Sequence, residues 1–275
     1  MKKLTYILIS ILLWNCKSEK KEIFQEYNGQ LVKVEFDDSR ADSTFTGYGG
    51  EHYPNGNLKS LSYIKNGIIA DTLFYYYENG KIKEKGLVKD NMVYGWWSYN
   101  DENGKLTKKI EWFHLRDSTY KNQEIHFDSN GKIKIPASTF FELQIPDTIQ
   151  IGKNMARINN YVSNVNDLDT RYLSVIIENY YPDSGKKTDT FPTLTDNSND
   201  IFFGIYGDKI GKKIIEGKIE EKTLKTDTIN SDSLSLTISD RYRYFKKEVY
   251  VSDNGKKSEL SKKLRAKFKE ATQNN

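Results

Sequence analysis

Between residues 47 and 134 apolar and polar side chains alternate in short runs, cut by Asn-Gly at Asn55-Gly56, Asn79-Gly80, Asn103-Gly104 and Asn130-Gly131. Alternation with a period of two marks a strand that turns one face to a core. Asn-Gly tolerates the positive φ that tight hairpins require, so each pair predicts a two-residue type I′ turn. An aliphatic follows each glycine two residues on (Leu58, Ile82, Leu106, Ile133), and an aromatic precedes each pair (Tyr53, Tyr77, Tyr99, Phe127). The third and fourth copies read as longer turns. "IKNGI" (64–68) and "KDNMVYG" (89–95) supply a second turn between copies, so each repeat gives two strands of an antiparallel meander.

The same alternation assigns faces. In "LFYYY", Leu73, Tyr75 and Tyr77 point one way and Phe74 and Tyr76 the other; Lys81, Lys83 and Lys85 lie opposite Ile82 and Val88. One greasy, aromatic face and one lysine-rich face are expected, although "GWWSY" (95–99) puts a tryptophan on each side. Tyr75, Tyr77, Trp96, Trp97 and Trp112 are therefore candidate binding residues. They either form a ligand-stacking surface or cover the only core of a thin sheet.

After Lys134 the Asn-Gly punctuation stops, and Pro136 and Pro146 flank a new apolar run. Segments such as "RYLSVIIENYY", "IFFGIY" and "YFKKEVYVSD", separated by turn-rich stretches, predict about seven short strands and hence a β-sandwich over 136–255. The fold class expected is all-β: a repeat-built antiparallel meander over 46–135, then the sandwich. Residues 256–275 read as a basic tail or helix with Leu260, Leu264 and Phe268 at intervals of four, either solvated or lying on an anionic lipid surface.

Composition supports sheet over disorder: 37% of residues are hydrophobic, but 13% are aromatic and tyrosine alone numbers 19. The net charge of +4 invites a nucleic-acid reading until it is located. Setting aside Lys2, Lys3 and a tail with seven basic and two acidic residues, 33 basic residues face 36 acidic ones. The positive charge is not on a folded face, so no nucleic-acid partner is expected.

The first residues, "MKKLTYILISILLWNCKSEKKE", carry two lysines, an apolar run from Leu4 to Trp14 and the single cysteine, Cys16. The run is too short to span a bilayer but has the length of a signal-peptide core. One cysteine cannot form an internal disulfide. Leu13 three residues before Cys16 resembles the lipobox of bacterial lipoproteins, although Trp14 and Asn15 depart from the small residues usual there. The resemblance implies cleavage before Cys16, lipid on its thiol, a membrane-held N-terminus and a place in the cell envelope at the outer membrane. Residues 1–16 are then the signal peptide and lipidation site, and 17–45 a polar tether.

The phrases "YPNGNLK", "YYENGKIK", "DENGKLTK" and "FDSNGKIK", with the Gly-Trp of "YGWWSY", resemble the MORN-repeat variant of bacterial proteins, some of them labelled antitoxins. That resemblance covers about residues 47–134 and implies a repetitive β platform that binds a protein or surface. The second half looks like an immunoglobulin-like module, with Lys213 standing where a tyrosine corner would place tyrosine.

No pattern for catalysis or metal binding emerges. His52, His114 and His126 form no HExxH motif, "DSGKKT" and "DNGKKS" lack the glycine and Ser/Thr of a phosphate loop, and G-x-S-x-G is absent. No cofactor and no enzyme activity are expected. The reading is a non-catalytic envelope binding or scaffold module for a protein or envelope polymer. Its alternatives are an immunity protein that neutralises a delivered toxin, or a carbohydrate-binding accessory protein.

Overall fold

The computed structural model describes residues 23–35, 44–115, 118–162, 170–194, 198–230 and 233–273. Cys16, the leader and much of the expected tether lie outside the described residues. The chain is all-β, with one α-helix among the described residues. Nine strands make one sheet in chain order: β1 (Ile23–Tyr27), β2 (Gln30–Glu35), β3 (Gly47–His52), β4 (Leu58–Lys65), β5 (Ile68–Tyr76), β6 (Ile82–Lys89), β7 (Met92–Asn100), β8 (Leu106–Leu115) and β9 (Ser118–His126). Neighbours are antiparallel except β2 and β3, which share a short parallel ladder.

The meander is as expected, but its turns are the reverse of expectation. Positive φ at both central residues, the signature of the type I′ turn, occurs at Asn28-Gly29, Asn66-Gly67 and Asp90-Asn91, which lie outside the four repeated Asn-Gly pairs. In the repeated pairs only the glycine is left-handed, and its N–H donates to the carbonyl three residues back: Gly56 to Tyr53, Gly80 to Tyr77, Gly104 to Asp101 and Gly131 to Asp128. This is a type I turn closed by a glycine bulge, of the same length in all four copies; the third and fourth are not longer.

What changes between copies is the residue that opens the turn. In the first two it is a tyrosine whose hydroxyl reaches the next copy: Tyr53 donates to the Tyr76 carbonyl at 2.7 Å and Tyr77 to the Asn100 carbonyl at 2.8 Å. In the last two it is an aspartate that closes its own turn, Asp101 Oδ1 accepting from the N–H groups of Asn103 and Lys105 and Asp128 Oδ1 from those of Asn130 and Lys132. Those backbone donors hold the Asp128 carboxyl below its usual range. Asn57 and Asn79 add side-chain bonds to the carbonyls of Glu78 and Glu102, so consecutive turns are stitched along one edge.

The expected separation of aromatic and lysine faces does not hold. Phe74 is paired with Lys85, whose ammonium lies 5.8 Å from the ring centre, and Lys108 lies 4.9 Å from the centre of Tyr99. Lysine stems cover aromatic rings here, as amphipathic side chains can.

The buried face carries Leu61, Phe74 and Tyr76, and its cover comes from residues 23–35, part of the stretch expected to be a tether. Tyr27, Val32 and Val34 alternate inward from the β1–β2 hairpin. Tyr27 packs edge-on to Phe74 at 5.4 Å, and its hydroxyl donates to the Thr72 carbonyl at 2.8 Å. Burial raises the phenol pKa of Tyr27 and pushes that of Tyr76 up to about 12. The hairpin folds because a one-layer sheet must bury its apolar side against something.

A short 3₁₀ turn (Ile135–Ala137) leads into the sandwich. One layer has three strands, β10 (Phe140–Gln144), β12 (Gly152–Tyr161) and β15 (Asp200–Gly207). The other has five: β11 (Thr148–Gln150), β13 (Thr170–Tyr181), β14 (Gly185–Pro192), β16 (Gly211–Asn230) and β17 (Ser233–Ser252). Alternate residues such as Ile158, Phe203, Val175, Ile219 and Phe245 meet between the layers in one apolar cluster. The tail forms α1 (Glu259–Gln273), and its apolar stripe is docked, neither solvated nor free for a lipid surface. Leu264 is 1% exposed, and Phe268 packs edge-on to Phe202 at 5.5 Å.

Candidate functional site: an aromatic cleft at the junction

The last strands of the repeat sheet run into the sandwich, and the join is built by two successive polar residues. Asn122 is the extra residue of a bulge in β9: Gln123 pairs with Glu111 and Lys121 with Trp112, leaving Asn122 unopposed. The bulge lets both side chains turn to the same partner. Asn122 Nδ2 and Gln123 Nε2 each donate to Glu111 Oε2 at 2.6 Å.

Their remaining valences hold the second half. Asn122 Nδ2 also donates to the Tyr244 carbonyl, and its Oδ1 accepts the Tyr244 N–H, both at 2.7 Å, so the amide imitates a strand neighbour of β17. Gln123 Oε1 accepts the Phe141 N–H at 2.8 Å. Asn122 and Gln123 are both buried, so losing either would strand backbone groups away from water. Burial raises the Glu111 carboxyl pKa, and the two amide donors offset part of the rise.

Around this polar rivet the aromatics of both halves gather. Phe113 stacks on Tyr244 with ring centres 5.4 Å apart, and Tyr120 lies 6.5 Å from the same ring. Beside them a cleft of about 300 Å³ is lined by Tyr94, Trp96, Glu111, Trp112, Tyr244 and Lys246, among others. Tyr94 and Trp96 remain 40% and 39% exposed, whereas most large rings of the sheet are covered. The Tyr94 ring is braced edge-on by His114 at 5.4 Å, and His114 Nε2 sits 2.7 Å from the Val93 carbonyl, which makes that nitrogen the protonated donor.

The five aromatic candidates thus separate. Trp96 faces the cleft beside its cross-strand partner Glu111; Trp112 touches the lining, but it pairs with Gly95, so its side chain belongs to the opposite face, with Trp97 and Ile110, and its indole nitrogen is buried. Trp97, one residue from Trp96, is core: it is 3% exposed, its indole N–H donates to the Leu87 carbonyl at 2.9 Å, and its ring occupies the space a Cβ on Gly86 would take. Tyr77 serves the turn ladder, and Tyr75 lies half-buried on another part of the sheet, its pKa raised by burial with Glu84 adding to the rise. Tyr94, Glu111, Asn122, Gln123 and Tyr244 are absent from the sequence-based candidates. Tyr94 opens the quoted "YGWWSY", which was the available signal; Tyr244 is 122 residues from its partner Asn122.

Among the described residues no group of three or more His, Cys, Asp or Glu is placed to hold a metal ion, and no helix is long and apolar enough to cross a membrane. Chemically the cleft offers aromatic edges, one carboxyl and one ammonium, which suits contact with sugar rings or protein side chains. No protein-family model matches the chain, and no curated protein shows significant similarity to it.

Proposed function

We propose that the protein is a lipid-anchored envelope module that binds an envelope polymer or a protein without catalysing a reaction, and that its ligand docks at the junction cleft. The observation that carries this reading is the exposed Tyr94 and Trp96 pair, set in a cleft whose far wall belongs to the sandwich. Large exposed rings held by a rigid frame are the residues binding surfaces favour. At about 300 Å³ the cleft stands at the lower end of small-molecule sites, so it suits a protruding segment of a larger ligand.

The lipobox resemblance at Leu13 and Cys16 supports membrane attachment, and the MORN-variant resemblance of the repeats supports a platform role. A carbohydrate ligand is the favoured second reading, because Trp and Tyr rings beside the Glu111 carboxyl match the apolar faces and hydroxyls of a sugar.

The test is cross-linked capture from intact envelopes with the full chain and its Trp96→Ala variant. Loss of a reproducible partner or polymer in the variant supports the proposal; identical capture by both removes the cleft from the account. Cys16→Ser is expected to move the protein from the membrane to the soluble fraction.

A further inference from the structure

The hairpin and the sandwich cover the same face of the repeat sheet and leave its middle open. The registers fix this: Phe74, Lys85, Ser98 and Lys109 stand opposite one another in a single row across β5 to β8, so their side chains share a face. At the β5 end of the row the β1–β2 hairpin closes over Phe74 through Tyr27. The next row on that face is Trp96, Glu111 and Gln123, and there the sandwich takes over, Gln123 holding the Phe141 N–H. Between the two covers Lys85 is exposed, and Ser98 and Lys109 are half-buried.

Strand β7 is the floor of this gap. Trp96, Ser98 and Asn100 are alternate residues of that strand and span about 13 Å. Trp96 opens into the junction cleft. Asn100 lines a larger hollow of about 640 Å³ at the other end, with Glu26, Tyr76, Lys81, Lys85 and Asn103. The gap is therefore a trough with a mouth at each end, a shape that suits an extended chain.

Its charge is one-sided. Lys85 and Lys109 flank Ser98 from the neighbouring strands, about 10 Å apart. Lys81 donates to the Asn103 carbonyl at 3.0 Å. None of these three lysines has an ion-pair partner among the described residues, whereas Lys108, on the opposite face, lies 3.9 Å from Glu124. Lys246, at the sandwich end, is 3.4 Å from Glu216. Two carboxylates line the ends of the trough: Glu26 in the larger hollow, and Glu111, whose Oε2 already accepts from Asn122 and Gln123 and whose pKa burial raises.

We propose that this trough binds a segment of an acidic polysaccharide, with a sugar ring against Trp96 and carboxylates against Lys85 and Lys109. The inference rests on the junction cleft being the docking place and adds the class of its ligand. The apolar face of a sugar ring suits an exposed indole, and lysine ammoniums are point charges on flexible stems that can follow carboxylates along a chain. An acidic peptide cannot add here as a strand, because β6, β7 and β8 are each paired on both edges.

The experiment is calorimetric titration of the full chain with galacturonate and alginate oligosaccharides, beside a neutral glucan oligosaccharide and polyglutamate of similar length. Saturable binding of a polyuronate alone, weakening as salt rises, is expected. Trp96→Ala is expected to weaken it about tenfold. The double variant Lys85→Gln/Lys109→Gln, which keeps most of each stem, is expected to weaken it about fivefold. Thermal melts establish that both variants are folded. No saturable polyuronate binding, affinity unchanged in either variant, or equal binding of polyglutamate or the neutral glucan overturns the inference. Cross-linked capture separates that failure from failure of the cleft: capture that still depends on Trp96 while no polyuronate binds removes the acidic polysaccharide and keeps the cleft.

Discussion

Sixteen buried apolar residues meet between the layers of the sandwich, whereas six form the main cluster of the repeat sheet among the described residues, three of them brought by the β1–β2 hairpin. The sandwich can rely on area, because two facing sheets exclude water from both inner faces. The repeat sheet has one layer over most of its length and compensates with bonds that recur from copy to copy, such as those of Tyr53 and Tyr77 to the following repeat. A chain organised this way has a dense end and a sparse end. Its exposed Tyr94 and Trp96 stand where the sparse end meets the dense one.

The sharpest way to separate the two halves is to damage the dense one. Phe203, 2% exposed between Phe191 and Phe245, is expected to cost about 3–5 kcal/mol when replaced by alanine, read from urea unfolding. Damage at the join comes next. Asn122→Ala strands the Tyr244 N–H and carbonyl and takes one donor away from Glu111, for an expected loss of about 1–3 kcal/mol. Hydrogen exchange at the Tyr244 amide is expected to speed up in that variant, marking the loosened join.

In the sparse half single bonds should matter singly. Tyr77→Phe removes one hydroxyl bond to Asn100 and is expected to cost about 0.5–1.5 kcal/mol with no effect on the sandwich. The smallest effect is in the acid range, where two carboxyls of the repeat half, one at the join and one in the last turn, carry opposite signs. The Glu111 pKa is raised on folding, so the native state holds that proton more tightly; its contribution is largest below the unfolded carboxyl pKa and fades as pH rises through the raised value. The Asp128 pKa is lowered, so its contribution is present above the unfolded value and fades as pH falls. Stability profiles of Glu111→Gln and Asp128→Asn against pH should therefore depart from the parent in opposite directions.

How far the residues alone foretold this follows from the range of each interaction. The strands, the 24-residue repeat between the first copies and the sandwich are local patterns, and they were legible. The turn type was not, because Asn-Gly suits both a type I′ turn and a type I turn with a glycine bulge. The choice falls to the preceding residue, a tyrosine or an aspartate that spends its side chain on the turn edge. The hairpin at 23–35 was hidden by its charged approach, "KSEKKE", which read as a tether. At the candidate site strict alternation distinguishes Trp96 from Trp97 but does not say which is inside. Register shifts between Lys85 and Leu87 and the left-handed Gly95 bend β7 so that Trp97 falls over Gly86. The rivet of Asn122 to Tyr244 had no local signal at all.

These two adjacent tryptophans offer the most direct measurement. Urea unfolding of Trp96→Ala and Trp97→Ala, beside the parent, is predicted to show Trp96→Ala within about 0.5 kcal/mol of the parent and Trp97→Ala about 3 kcal/mol less stable. The reverse order, or equal losses at both positions, would contradict the assignment of one ring to the cleft and the other to the core.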